Sequence, residues 1–306
     1  MGGGSAIKQS ERRSHQGESV QGEYSSKEID CQRGGPKAKK ILGKYEIHKT
    51  GDGYELLKGG EPIGWFSVAV IEDDRVVYPL SHGISLEVSE RGSREILISE
   101  KAELCGLIAS DGGIYSTKAH PHHEIHFSSK DRELVERYNE LFKKVYGIDP
   151  HHHYKKKSTG ESYFESRAYY KGVYFDLLDL NIKPGAFKFR VPLMHLDRDG
   201  LRAYLRGFFS GDGYITKDGE LFRIGLQSTC KEGLEELQKA FELLKFHPHE
   251  IHLWEKEKPK WRDQYHFSIP TYEHMRFIKE ISTYRPDHLK KLGEIERRYK
   301  SRENKG

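Results

Sequence analysis

The sequence predicts an α+β fold of tandem pseudo-two-fold αββαββα repeats, preceded by a small β-rich N-terminal module. Three observations predict it. A short helical stretch ending in aspartate, "ELCGLIASDGGIY", returns as "YLRGFFSGDGYIT", placing Asp111 against Asp212 at an offset of 212 − 111 = 101. A second pair, "NIKPGAFK" and "TYRPDHLK", has Pro followed four residues later by Lys, and recurs at nearly the same offset, 290 − 188 = 102. Between these markers both halves show the same order of hairpin, amphipathic helix, second hairpin and short closing helix.

Residues 1–43 are rich in Gly, Ser, Gln and charge, and are expected to be a disordered polar arm with a basic end at Lys37, Lys39 and Lys40. Residues 44–98 are expected to form a small β-rich module. Its hairpin signal is Gly51-Asp52-Gly53, and further strands flank Asp73-Asp74. Such a module is too small to build much core alone, so it is expected to pack on the repeats C-terminal to it. The first repeat spans 99–200: the aspartate helix, the hairpin "GIYSTKAHPHHEIHFSS", the helix "KDRELVERYNELFKKVYG", the strands of "HHHYKKKSTGESYFESRAYY", and a closing helix around "VYFDLLDL". The second spans 201–306. Its hairpin "GYITKDGELFRIGLQS" turns at Asp218-Gly219, then come "KEGLEELQKAFELLKF", "HEIHLWEKEKPKWRDQYHFSI" and "EHMRFIKEI".

Composition narrows the function classes. The 306 residues carry 51 Lys+Arg against 47 Asp+Glu, a formal charge of +4, with a mean hydropathy of -0.78. That balance is compatible with a nucleic-acid partner but identifies none, because basic charge matters only where it clusters. Cys31, Cys105 and Cys230 lack C-x-x-C spacing, which argues against a disulfide framework or a cysteine zinc site and fits a reducing compartment. No apolar run is long enough to span a membrane, and the N-terminus lacks a hydrophobic signal core. An intracellular place is expected, in cytoplasm, nucleoid or an organelle, and not secretion.

Glycine inside a helix costs roughly 1 kcal/mol against alanine, so Gly106 and Gly207 need a reason. Gly106 with Ser110, and Gly207 with Gly211, lie at i and i+4 on one helical face. Such a face lets two helix backbones approach closely. If the two helices pack on each other, Asp111 and Asp212 emerge side by side. Two close carboxylates repel and call for a divalent cation. Hard oxygen ligands suit Mg²⁺, with Mn²⁺ as a substitute, and a metal so held can activate water for phosphodiester hydrolysis. The backbone carbonyls of Ser110 and Gly211 are further candidate ligands.

These two stretches, residues 104–112 and 205–213, resemble the LAGLIDADG motif of homing endonucleases, in the single-chain, two-motif branch. The resemblance covers roughly residues 99–300 and implies the LAGLIDADG homing endonuclease fold. By it, the paired helices form a pseudo-dimer interface with one metal-binding acid each. The two sheets then form a saddle in the DNA major groove, and both strands of a long pseudo-palindromic site are cut. Each motif departs at its sixth position, where the consensus acid is Ala109 or Ser210. The resemblance also implies a lysine at the end of the second strand, near the metal. Lys130 and Lys231 fit, each 19 residues after its aspartate, 130 − 111 and 231 − 212; aligning the following helices instead puts Cys230 there. Lys188 and Lys290 are the other candidates to polarise phosphate or water.

Reading DNA with a sheet needs polar side chains at alternate positions. In the first half this selects Glu124 and His126, with Tyr115 and Thr117 on the neighbouring strand. In the second it selects Arg223 and Gln227, beside Tyr214, Thr216 or Lys217. The outer hairpins offer Lys155, Lys156 and Lys157, and Lys256, Lys258, Lys260 and Arg262, for phosphate contacts. The histidines at 120, 122, 123, 126 and 151–153 have no cysteine or H-x₃-H helix beside them, and zinc is not expected. The main rival is an RNA-splicing maturase or DNA-binding regulator using the same saddle without cleavage. Self-splicing is not expected, since Met1 and "RENKG" supply neither of the required end groups. Because the duplication already provides two-fold symmetry, a monomer is expected.

Overall fold

The computed structural model of the chain describes residues 39–42, 44–50, 53–66, 69–71, 75–80, 82–89, 92–116, 122–156, 162–182, 188–254 and 263–303. Two four-stranded antiparallel sheets come first. One is β1 (Lys39–Leu42), β2 (Tyr45–Thr50), β3 (Gly53–Lys58) and β4 (Glu61–Phe66). The other is β5 (Val70–Ile71), β6 (Arg75–Pro79), β7 (Ile84–Ser89) and β8 (Gly92–Leu97). β1 begins inside the segment expected to be a disordered arm; the rest of that arm lies outside the described residues. Its Leu42 is buried with Tyr45, Ile47, Leu56, Val76 and Val88. The module therefore has a small core of its own, separate from the main one.

The first repeat runs α1 (Ser99–Asp111), β9 (Gly112–Tyr115), β10 (Glu124–Ser129), α2 (Arg132–Tyr146), β11 (His151–Lys156), β12 (Ser162–Tyr169) and α3 (Lys171–Asp179). The second runs α4 (Arg198–Asp212), β13 (Gly213–Asp218), β14 (Leu221–Ser228), α5 (Lys231–Leu243), β15 (His252–Trp254), β16 (Gln264–Ile269) and α6 (His274–Glu280). The sheet orders match strand for strand, β9-β10-β12-β11 and β13-β14-β16-β15. Each half is αββαββα as expected, and α7 (Pro286–Glu303) is an addition to the second. No helix among the described residues is long and apolar enough to cross a membrane.

Both sheets alternate as half-buried strands should. Ile125 and Phe127 on β10, and Phe222, Ile224 and Leu226 on β14, are buried on the helix side. There they meet α2 and α5, whose Leu134, Tyr138, Phe142, Leu234, Leu237 and Phe241 are also buried. One continuous core joins the halves, because α1 and α4 run through its centre and make the most extensive contact between any two elements.

That contact explains the helix glycines. A Cβ on Gly106 would lie 2.2 Å from the Tyr204 carbonyl oxygen, and one on Gly207 would lie 2.2 Å from the Glu103 carbonyl oxygen. Tyr204 and Glu103 are themselves one repeat apart, 204 − 103 = 101, so the packing is two-fold symmetric down to single atoms. Neither backbone can yield without parting the helices. Gly106→Ala or Gly207→Ala is therefore expected to destabilise by more than about 2 kcal/mol, measured by denaturant unfolding. An unchanged midpoint for either variant would show that the helices are not held this close.

Candidate active site at the ends of the motif helices

The pseudo-two-fold axis passes between Ser110 and Gly211, residues one repeat apart that face each other. A Cβ on Gly211 would lie 2.1 Å from Ser110 Oγ and 3.2 Å from Asp111 Oδ2. One of the two positions must be glycine, since the other side chain fills the space. The next residue on each helix, Asp111 and Asp212, is the last of its helix. Both acids are partly buried. Burial is the main cause that pushes Asp111 up to about 6, with Asp131 adding and Arg285 opposing. Asp212 is pushed well above the usual carboxylate range by burial and then by the charge of Asp111, again opposed by Arg285.

An open cleft of about 500 Å³ lies beside Asp111 and Gly211. Asp131 and Lys130 at the entry to α2, His126, Ser128 and Ser129 on β10, Tyr163 and Glu165 on β12, and Arg285 line the rest of it. Lys130 is exposed there, just beyond the end of β10. His126 stacks on Tyr115 with ring centroids 4.9 Å apart, and burial lowers its pKa, so it is neutral at neutral pH.

Three expectations need correction. The first is the equivalence of Lys130 and Lys231. Ile114 pairs with Ile125 and Ile215 with Ile224, so the offset drops from 215 − 114 = 101 to 224 − 125 = 99 across the hairpin. The second hairpin is two residues shorter. Lys130 therefore matches Thr229, and Lys231 is the first residue of α5, exposed and 3.6 Å from Glu235. The second is Lys217. It pairs with Phe222 on the helix side of the sheet, lies over the Phe222 ring, and donates to Glu294 of α7 at 3.2 Å. The third concerns Lys188 and Lys290. Both are exposed, and neither lines the cleft. Lys188 leads into the linker where Phe189 covers Gly233, and Lys290 lies on α7.

Arg285 is the residue that sequence reasoning misses, although each repeated proline follows a basic residue, Lys183 or Arg285. Its Nη1 donates to the Gly211 carbonyl at 3.3 Å, and its Nε lies 3.5 Å from Asp131 Oδ2 and 3.3 Å from Asp287 Oδ1. Buried Ser210, at the sixth motif position, fixes the segment that carries it. Its Oγ accepts from the Tyr284 backbone N–H at 3.0 Å and lies 3.3 Å from Thr283 Oγ1.

On the open faces of the sheets, Glu124, His126 and Tyr115 lie together in the first half, since Glu124 pairs with Tyr115. Tyr214, Thr216, Arg223 and Gln227 share that face in the second. Thr117, Lys157, Lys256, Lys258, Lys260 and Arg262 lie outside the described residues; Lys156 closes β11. Lys155 is paired with Glu165, which also accepts from Arg167 at 2.8 Å. Arg167 in turn lies 3.2 Å from Glu124. Among the described residues Arg223 has no such partner, and it lines a cleft of about 420 Å³ with Tyr214, His249, Glu250, His252, His266 and Ser268.

The profile of the LAGLIDADG-like domain matches residues 99–175 and 199–284, more than half of the chain, with one match on each repeat. The chain belongs to the LAGLIDADG family. Solved structures similar to it include the homing endonuclease I-DmoI, at 18% identity and a TM-score of 0.45 over 60% of this chain and 95% of that one. Another is the homing endonuclease I-WcaI bound to its DNA recognition sequence, at 16% and 0.43 over 63% and 85%. A third is WhiA from Thermatoga maritima, at 17% and 0.44 over 67% and 60%. A stretch of 150 residues is 29% identical to the isomerizing glutamine–fructose-6-phosphate aminotransferase of Methanocaldococcus jannaschii, covering 48% of this chain and 13% of that protein.

The raised carboxyls have a measurable consequence without metal. The folded chain holds the Asp111 proton more tightly than the unfolded one, so its stabilisation is complete below about pH 4 and is lost as pH rises through about 6. In chelator above pH 7, Asp111→Asn is expected to be more stable than the parent by about 1 to 3 kcal/mol, allowing for solvent screening. The gap should close by pH 4. Thermal melts across this range check it, and parallel profiles would contradict the burial of charge.

Proposed function

We propose that the chain is a site-specific double-strand DNA endonuclease of the homing type, active as a monomer with a divalent metal. The observation that carries this reading is the pairing of two motif carboxylates at the symmetry axis, on helices that also carry two open-faced sheets. The place suits a divalent cation: two partly buried carboxylates stand close enough for one to raise the proton affinity of the other, and Gly211, whose carbonyl accepts from Arg285, lines the same cleft as Asp111. Asp111 and Asp212 would hold Mg²⁺ or Mn²⁺, with the Ser110 and Gly211 carbonyls as further ligands. Bound there, the metal would supply an acidified water and stabilisation of the leaving oxygen.

The remaining work falls to the protein. Lys130 places a positive charge on the scissile phosphate from the mouth of the cleft. Tyr115, Glu124 and His126 in one half, and Tyr214, Thr216, Arg223 and Gln227 in the other, face the major groove. The outer-hairpin cations at 155–157 and 256–262 bind phosphates and give the affinity its salt dependence. Glu124 and Arg223 occupy equivalent positions, 223 − 124 = 99, with opposite charge. Glutamate accepts from cytosine and arginine donates to guanine, so the two half-sites are expected to differ at that base pair.

Cleavage of a randomised duplex library with Mg²⁺ tests the reading. The intact protein is expected to cut both strands of a selected site. Asp111→Asn and Asp212→Asn are each expected to lose at least about a hundredfold in rate. Lys130→Met is expected to slow cutting far more than Lys231→Met does. Tight, salt-sensitive binding with no cutting by the intact protein would favour the maturase or regulator instead.

A further inference from the structure

The Gly211 carbonyl, a ligand candidate on sequence grounds, already has a donor: Arg285 Nη1, at 3.3 Å. Among the described residues, no other guanidinium or ammonium lines the cleft except that of exposed Lys130. Arg285 is also held from the other side. Asp131 lies 3.5 Å from its Nε, and the two Asp287 oxygens lie 3.3 and 3.4 Å from its Nε and Nη2. Its backbone is pinned as well, because its N–H donates to Thr283 Oγ1 at 3.2 Å, and Thr283 and Tyr284 are tied to Ser210 of α4. The guanidinium is thus built into the end of the motif helices, between the paired acids and two further carboxylates.

We propose that Arg285 is the counter-ion of the aspartate pair in the metal-free protein, and that a divalent cation and Arg285 compete for the Gly211 carbonyl and the acids beside it. The proposal rests on the metal reading above. Held on the Gly211 carbonyl, the guanidinium puts a fixed positive charge beside Asp111 and Asp212 that opposes their mutual repulsion while no metal is bound. The same charge opposes a cation entering among them. Asp131 and Asp287 give the guanidinium somewhere to stay when the cation takes its place. Asp131 has Cys230 as its counterpart at the entry to α5, 230 − 131 = 99, so the carboxylate at that position belongs to the first half alone.

Mn²⁺ titration of the full chain without DNA, followed by electron paramagnetic resonance, tests the proposal alongside thermal melts with and without Mn²⁺. Arg285→Met is expected to bind Mn²⁺ about tenfold more tightly than the parent, and Arg285→Lys, which keeps the charge, within about threefold of it. In chelator Arg285→Met should melt below the parent. At saturating Mn²⁺ the deficit should shrink or reverse, because tighter binding stabilises more. A variant that binds no more tightly and melts lower by the same amount in both conditions would overturn the proposal and leave Arg285 a structural residue. If neither parent nor Arg285→Met binds Mn²⁺, the metal reading falls and this inference with it.

Discussion

The candidate site depends on how closely two helix backbones approach. Gly106 sits against the carbonyl of Tyr204 and Gly207 against that of Glu103, so the axis of the duplication lies on backbone atoms and not on side chains that could repack. Each glycine costs roughly 1 kcal/mol of helix stability, and what it makes possible is position. The helices converge until residues 110 and 211 touch, and the following residue on each is the acid. The same approach that pairs the carboxylates withdraws them from water, which is why burial is the largest cause of both shifts. Proximity and desolvation are here one geometric fact with two consequences.

Around this symmetric centre the two halves have diverged in ways that fix their roles. Some pairs keep their chemistry. Lys101 of α1 bonds Asp176 of α3 at 2.8 Å, and Arg202 of α4 bonds Glu280 of α6 at 2.9 Å, so each motif helix is tied to its own closing helix. Others do not. Buried Glu103 accepts from Arg137 at 2.7 Å, Tyr284 at 3.2 Å and Arg206 at 3.3 Å, whereas its counterpart Tyr204 is buried with an unpartnered hydroxyl. Beside the acids, one ring fills the same space from opposite strands. In the first half His126 covers Gly113; in the second Tyr214 covers Gly225. The exchange keeps a ring over the glycine and changes the hydrogen-bonding groups presented to the open face.

The repeat, the paired helices and the order of elements are legible in the sequence because each has a local signature: glycine at i and i+4, an acid at a fixed offset, a two-residue period in the strands. Legibility is weaker wherever position is set across the chain. A constant offset carries Lys231 to the wrong place, because two residues are missing from the second hairpin and the offset falls to 99 beyond it. Lys217 follows the alternation one residue too far along β13, onto the face covered by α7. Arg285 stays hidden because the repeated Pro-x-x-x-Lys points to Lys290; a basic residue before each proline is a local mark, but nothing in it shows that Arg285 reaches a carbonyl 74 positions away. At the sixth motif position Ser210 departs from the family acid, and its hydroxyl sets the segment that bears Arg285; that role depends on a partner 74 residues on and has no local sign.

The same reasoning assigns a place to the N-terminal module. Its turn at Gly83 lies against the Lys101 side chain at the start of α1, and Ile98 donates to the Gly83 carbonyl at 3.0 Å. Arg75 reaches Asp197 at 3.5 Å, the residue that caps α4 by accepting from the Gly200 N–H. The module thus grips the N-terminal ends of both motif helices, whereas the acids stand at their C-terminal ends, about 20 Å away at 1.5 Å per residue. Each motif helix is therefore held at its N-terminus by the module and against its partner at Gly106 and Gly207, and it is the glycine contact that sets how close residues 111 and 212 come.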